Sequence, residues 1–228
     1  MFTILLNGLS ICVGTILGVI FKNYSSEKIS KSIVVVIGLQ MSVMGMKDAL
    51  QYQNGMLNVI YLVVGVVIGE ILDIDGKLNS LGEFIQRKFA RKQGNFVKGF
   101  VIATLIFSIG SMAVIGPLKI AFEGDSSIIY IKSILDGVMA MILASTYGIG
   151  VIFSAVIVVL YQGAFFLLSG ALKSVTDPYV INQISTVGGV LLIGLSVSLI
   201  FDNKNIKVTN MLPAMFLPIL AALIKNLL

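Results

Sequence analysis

The 228-residue chain has no histidine, and its single cysteine is Cys12. These absences exclude intrachain disulfides, zinc sites built from Cys and His, haem ligation by His, and Ser–His or Cys–His catalytic pairs. An aspartyl mechanism needs two facing carboxylates, and Asp136 is the only acidic residue expected deep inside an apolar segment. We therefore expect no enzyme, no metal site and no cofactor.

Charged residues are scarce as well. They make up 12% of the chain, against roughly 25% in an ordinary soluble domain, and the mean hydropathy is +1.01. Eight apolar segments result, over about 3–21, 32–47, 56–73, 98–121, 128–146, 149–172, 183–201 and 209–226. Because lipid offers no partners for the backbone, segments of this length form helices. The sequence predicts an all-α membrane protein with seven to eight transmembrane helices in one polytopic domain, 1–228.

The stretch 73–98 is the only sizeable polar connector, and we expect it to be cytoplasmic. Its apolar residues recur at helical spacing (Leu78, Leu81, Phe84, Ile85 and Phe89), with Arg87, Lys88, Arg91 and Lys92 on the other side. This pattern predicts an amphipathic helix on the membrane surface, with its basic face toward anionic headgroups. A contact with a ligand or with another protein is the alternative.

Lys and Arg residues favour one side of the membrane. With the N-terminus outside, the inner loops hold Lys22, Lys28, Lys31, Lys77, Arg87, Lys88, Arg91, Lys92, Lys98, Lys204 and Lys207. The outer side holds Lys47, Lys119, Lys132, Lys173 and Lys225. The positive-inside rule then predicts that both termini lie outside. The net charge of +5 is explained by this asymmetry, and we expect no binding of nucleic acid.

Two apolar stretches resemble each other. Residues 34–43 read VVVIGLQMSV and residues 190–199 read VLLIGLSVSL, at an offset of 156 residues. The same offset places the first segment over the sixth and the third over the eighth, which predicts an inverted repeat of helices 1–3 and 6–8. Secondary transporters are often built in this way. A chance match between two stretches rich in Val, Ile, Leu and Gly is the alternative.

The fourth and fifth segments contain the candidate site, and we expect both of these helices to be kinked or broken. Gly116 and Pro117 predict a kink or break, because proline removes a helix hydrogen bond. Lys132 and Asp136 are four residues apart, so they share a helix face at a depth where charge is costly. The candidate binding residues are Asp136, Lys132, Lys119, Ser111 and Gln162, and the candidate gating residues are Gly116, Pro117, Gly148 and Gly150. A structural ion pair of Asp136 with Lys132 or Lys119, and a simple packing kink, are the alternatives.

Several motifs carry a resemblance to a known family. They are GEILDIDGKLNSLG, FSIGSMAVIGPLK, KSILDGVMAMILASTYGIGVIFSA, YQG, ISTVGG and NMLPA, in that order along the chain. Together they resemble the YqgA/YdfK-type bacterial inner-membrane proteins, a family catalogued as a domain of unknown function. The resemblance implies a polytopic helical fold in the bacterial cytoplasmic membrane, and it implies no substrate.

Two function hypotheses follow. The first is a transporter or channel for a small ion or polar solute, with Asp136 binding a cation or proton and Lys119 or Lys132 binding an anionic group. The second is a membrane scaffold or regulatory protein that acts through partners or lipid at the basic surface helix. Because a small bundle leaves apolar and small-residue faces uncovered, we also expect a homodimer within the lipid bilayer.

Overall fold

Helices make up every element in the part of the chain that the structure describes. This computed structural model describes residues 1–22, 27–89, 95–202 and 205–227, and Arg91, Lys92 and Lys204 lie outside these residues. The α-helices are α1 (Phe2–Lys22), α2 (Glu27–Ala49), α3 (Gly55–Leu72), α4 (Ile74–Phe89), α5 (Phe96–Ser108), α6 (Ser111–Glu123), α7 (Ser127–Tyr147), α8 (Ser154–Leu167), α9 (Pro178–Ile200) and α10 (Leu217–Leu227). Three 3₁₀ segments, Ile149–Phe153, Ser169–Thr176 and Val208–Met215, lie between them.

Seven helical stretches within the described residues are long and apolar enough to cross a bilayer. They are Phe2–Phe21, Lys28–Ala49, Gly55–Leu72, Ser127–Tyr147, Ile149–Leu167, Pro178–Ile200 and Val208–Lys225. The pair α5 and α6 passes the same test together, which gives up to eight spans. The predicted all-α membrane fold with seven to eight spans is therefore confirmed.

The break in the fourth segment lies at Gly110, whereas the sequence placed it at Gly116–Pro117. The axes of α5 and α6 differ by 56°, and Gly110 between them has φ 117°, a value that favours glycine. Pro117 instead lies inside α6. Gly116 packs so closely on Ile129 of α7 that a Cβ would meet that side chain, and this packing holds the proline turn in place.

The fifth segment was predicted to be kinked or broken, and this prediction is wrong. It forms α7, which runs without interruption from Ser127 to Tyr147. Its one glycine, Gly137, is tolerated inside a helix, and the segment contains no proline. The chain turns only after α7, at Gly148, whose φ is 87°.

The residues group into two compact units, each assembled from separate parts of the chain. The first unit consists of Met1–Val34, Lys77–Ser108 and Met112–Leu167. Its central contact is a parallel packing of α1 on α7. Ser10 donates a hydrogen bond to the Ser133 carbonyl, and a Cβ on Gly14 would overlap the Gly137 carbonyl. The absence of a side chain at Gly14 and at Gly137 lets the two backbones touch.

The bent pair of helices, α5 and α6, extends from one end of α7 to the other. Near the start of α5, Gly99 packs on Tyr147 at the end of α7. Within α6, Gly116 packs on Ile129, two residues after α7 begins. A re-entrant loop would return to the end where it started, so these contacts are those of a single broken span.

The second unit consists of Val35–Gly76, Ile109–Ser111 and Leu168–Leu228. Within it α2 and α9 pack in antiparallel orientation. Ser196 donates to the Gly38 carbonyl at 2.7 Å, and further along α2 Gly45 packs on Gly189. The same orientation relates α3 to the segment Val208–Met215, because Gly65 contacts Ala214 and Gly69 contacts Asn210.

Candidate functional site

Lys132 and Asp136 form an ion pair inside the first unit, as their spacing on α7 predicted. The Lys132 Nζ lies 2.7 Å from Asp136 Oδ2 and 2.9 Å from Oδ1. Each residue is only 6% exposed. Asp136 follows the first residue of α7 by nine positions, which places it about 14 Å along the helix. The pair therefore lies well inside a membrane span.

Two amide side chains from other helices complete the cluster. Asn7 of α1 donates from Nδ2 to Asp136 Oδ2 at 3.1 Å and to Gln162 Oε1 of α8 at 3.4 Å. Both amide residues are fully buried, with 0% exposure. Asn7, Lys132, Asp136 and Gln162 are hereafter called the polar centre. It joins three helices of the first unit.

The carboxylate of Asp136 fixes the orientation of both amides. An ionised carboxylate only accepts, so Asn7 must turn its NH₂ group toward Asp136. That NH₂ also faces Gln162, which must therefore present its oxygen. Asn7 Oδ1 and Gln162 Nε2 are left over, and neither has a hydrogen-bond partner among the described residues. The polar centre thus retains one buried acceptor and one buried donor.

Small residues bring the polar centre together. Gly8, beside Asn7, packs on Val159 of α8, and a Cβ there would meet that side chain. Gly14, two turns further along α1, contacts the Gly137 carbonyl, next to Asp136. Because both contacts exclude a side chain, α1 lies close enough to α7 and α8 for a short amide to reach both.

Lys119 is not part of the polar centre, although the sequence named it as a possible partner of Asp136. Its Nζ lies 3.8 Å from Glu123 and 3.9 Å from Asp125, at the polar end of α6. The pKa of Asp125 is below its usual value because the Ser127 backbone N–H donates a hydrogen bond to its carboxylate. The Lys119 charge is thus matched by acids in the α6–α7 connection.

Ser111 also lies elsewhere. It begins α6 and, with Ile109 and Gly110, belongs to the second unit, whereas the polar centre lies in the first. Of the five predicted binding residues, the structure brings together Lys132, Asp136 and Gln162.

The four predicted gating residues are all buried. Gly116 and Pro117 are buried within α6. Gly148 ends α7, and Gly150 lies so close to the Phe96 carbonyl that it has no room for a Cβ. Their role in gating stays a prediction.

Asn7 is the member of the polar centre that was not among the predicted site residues. The available signal was an amide within the otherwise apolar segment 3–21. A polar residue there is more often a simple interhelical hydrogen bond. Its contact with Asp136 joins positions 129 residues apart, so only the tertiary fold reveals it.

Comparison with known proteins places the chain in a family. The profile of the family described as "Protein of unknown function (DUF554)" matches residues 2–223. The chain belongs to this family. The resemblance seen in the sequence motifs is thereby confirmed.

Two relatives of the chain illustrate the similarity. The chain is 29% identical to the "Uncharacterized membrane protein YdfK" of Bacillus subtilis (strain 168), over 96% of this chain and 94% of the relative. It is 28% identical to the "Uncharacterized protein YqgA" of Escherichia coli (strain K12), over 93% and 92% respectively. Neither name states an activity, and no solved structure matches the chain significantly.

Proposed function

We propose that this DUF554 protein is a transporter or channel for a small ion or polar solute, and that the polar centre binds the solute. The observation that carries the proposal is the polar centre itself. Four polar side chains from three helices meet at membrane depth, and two of their polar atoms have no partner among the described residues.

The energetics argue against a purely structural role. Ionisable residues inside a span are costly and mark solute pathways in many membrane proteins. A buried donor or acceptor without a partner costs about 1–3 kcal/mol. A cluster that served only to join helices would be more stable with Leu at position 162, because the second amide adds an unpaired Nε2. A solute with one donor and one acceptor would satisfy both remaining atoms.

The broken span supports the same proposal. Non-helical backbone at membrane depth is tolerated where it is buried in protein or lines water. Transporters use such discontinuous helices to form sites and to move. The interruption between α5 and α6 at Gly110 is a feature of this kind.

Helix directions are consistent with the proposed inverted repeat. The offset of 156 residues pairs α1 with α8, α2 with α9, and α3 with the last span. Within their units the contacts of each pair are antiparallel: Asn7 with Gln162 and Gly8 with Val159, Gly38 with Ser196 and Gly45 with Gly189, Gly65 with Ala214 and Gly69 with Asn210. Copies with inverted topology run in opposite directions. We propose that the repeat is real.

The relatives and the charge distribution support a proposed location. Both relatives come from bacteria, and the positive-inside bias orients both termini outward. We propose that the protein lies in the cytoplasmic membrane with this orientation.

A flux assay with purified protein in liposomes tests the function. Trapped dyes would report H⁺, Na⁺, K⁺ and Cl⁻, and light scattering would report glycerol. We expect the wild type to move at least one of these, and the double variant Lys132→Met/Asp136→Leu, which removes both charges, to abolish that flux. Lys119→Gln is the matched control, because Lys119 lies outside the polar centre, and it should retain the flux.

Two results would overturn the proposal. One is folded wild-type protein that moves none of the five solutes. The other is a folded double variant whose flux equals that of the wild type.

A further inference from the structure

Helix α4 presents a mixed face that the proposed transport function does not use. Asp73 ends α3 and accepts a hydrogen bond from the Gly76 backbone N–H, so it caps the start of α4. In the first unit, Gly82 packs on Val97 and Phe100 at the beginning of α5. The opposite side of α4 is exposed.

Four residues of α4 form one stripe on that exposed side. Lys77, Leu81, Phe84 and Lys88 follow at intervals of four, three and four residues, which places them on one helix face. Phe84 is 58% exposed and Leu81 is 39% exposed. They are hereafter called the lysine-flanked stripe. Two apolar side chains lie between two lysines, which are about 17 Å apart along the helix.

This arrangement differs from the predicted one. The sequence placed Leu81 and Phe84 on an apolar side and the basic residues opposite. In the structure Gly82 faces the protein, because the absence of a side chain allows close contact with Phe100. Docking through Gly82 turns Leu81 and Phe84 outward together with Lys77 and Lys88. Arg87 is exposed beside the stripe, and Glu83 is the acidic residue at its edge.

The position of α4 decides what can cover the stripe. Among its contacts in the first unit, Gly82 packs on Val97 and Phe100 at the start of α5, and the ring centroids of Phe89 and Phe153 are 5.4 Å apart. Phe153 lies in the first turns of the span Ile149–Leu167. The helix therefore lies at the level where spans begin, which is the depth of lipid headgroups.

We propose that the lysine-flanked stripe binds anionic lipid headgroups, with Phe84 and Leu81 inserted between the acyl chains and Lys77, Lys88 and Arg87 bound to phosphates. Interfacial helices of this composition insert their apolar residues by about 5–10 Å. Lysine stems extend toward the headgroups while aromatic rings lie at the interface. The positive charge of the stripe is complementary to anionic phospholipid and not to phosphatidylcholine, which has no net charge.

The chain has no tryptophan, so a single Phe84→Trp substitution gives an unambiguous fluorescent reporter. The variant would be placed in nanodiscs of phosphatidylcholine and phosphatidylglycerol, with either lipid brominated as a quencher. We expect the emission of the Phe84→Trp variant to be blue-shifted and to be quenched more strongly by brominated phosphatidylglycerol than by brominated phosphatidylcholine; this difference is the lipid preference. Each basic residue near an anionic surface contributes about 1 kcal/mol, or about fivefold in preference. Lys88→Gln should therefore lower the preference about fivefold, and neutralising Lys77 and Arg87 as well should abolish it.

Glu83→Trp is the matched control, since it is the neighbouring exposed position about 100° around the helix. It should be quenched less by both lipids. If Phe84→Trp does not fold, Leu81→Trp reports on the same stripe. Equal quenching by the two lipids would overturn the proposal, because no headgroup is selected. Weak quenching by both would also overturn it, because water or a protein partner would then cover the stripe.

Discussion

At the scale of single residues, Lys132 and Asp136 each depend on the other. Their mutual contact at 2.7 Å offsets the cost of holding two charges in a span. Removing one partner leaves an isolated buried charge, whereas replacing both with apolar residues of similar volume is often neutral. This difference separates the contribution of the pair to stability from its contribution to function.

The first prediction concerns this pair. Lys132→Met should lower the free energy of unfolding by about 3–5 kcal/mol, since it leaves the Asp136 carboxylate without its cation. The double variant Lys132→Met/Asp136→Leu should recover most of that loss. Circular dichroism during an SDS titration in mixed micelles measures both. Lys119→Met, in an exposed ion pair, should change stability by less than about 1 kcal/mol. A double variant as unstable as Lys132→Met alone would contradict this view.

At the scale of helices, the close packing of α1 on α7 holds the polar centre together. Gly14 touches the Gly137 carbonyl, and Gly18 touches the Met141 carbonyl one turn further along. Hydrophobic burial adds little to helix association inside lipid, so backbone contact of this kind contributes much of the attraction. Asn7 reaches Asp136 only because this contact exists.

The second prediction compares two identical substitutions. Gly14→Ala should destabilise the protein by about 1–3 kcal/mol, because the added Cβ overlaps the Gly137 carbonyl. Gly163→Ala in α8 is its control, since no described atom lies within 4 Å of a Cβ placed there. The control should stabilise the helix by about 0.5–1 kcal/mol. Thermal unfolding in detergent measures both, and equal effects would show that α1 and α7 are not in backbone contact.

The third prediction concerns the break between α5 and α6. Gly110→Ala adds no steric contact, as no described atom lies within 4 Å of the new Cβ, but Gly110 has φ 117°. The strained backbone should cost about 1–3 kcal/mol. The same unfolding assay measures this loss, with Gly163→Ala again as the control. An unchanged or higher stability would indicate that α5 and α6 form one continuous helix.

The sequence located this break only approximately, for a physical reason. Proline favours a kink, but Gly116 lets α6 pack on Ile129 and the helix continues through Pro117. The positive φ of Gly110 results from tertiary packing. In the sequence, the stretch SIGS at 108–111 is a weaker signal for a helix break than the Gly116–Pro117 pair. Spacing alone predicted Lys132 with Asp136, because both lie on one helix. The contacts of Asn7 join residues 129 and 155 positions apart, and no local pattern specifies them.

At the scale of the whole molecule, the number and direction of spans connect the fold to the membrane. Seven long spans and one bent pair among the described residues would make an even number of crossings, which is the basis of our proposal that both termini lie on the same side. Counting lysine and arginine in the loops then predicts that this side faces outward. The apolar composition and the length of each segment were sufficient to predict the spans, because lipid leaves few alternatives to a helix.

The fourth prediction tests this orientation. In a Cys12→Ser background, Gln53→Cys lies in the exposed connection between α2 and α3, and Ser80→Cys lies on the exposed surface of α4. A membrane-impermeant maleimide added to intact cells should label position 53 and not position 80. Both positions should react after the cells are opened. Labelling of position 80 in intact cells would contradict the proposed orientation.

The central claim is that a solute from water reaches the polar centre, and the accessibility of position 162 tests it most directly. Gln162→Cys in the Cys12→Ser background would be reconstituted in liposomes and exposed to positively and negatively charged methanethiosulfonate reagents. We predict that at least one reagent modifies position 162 over minutes and blocks flux. The Gln53→Cys variant in the same background is the control for reagent activity. The claim would be contradicted if this control reacts while a folded Gln162→Cys protein stays unmodified by both reagents.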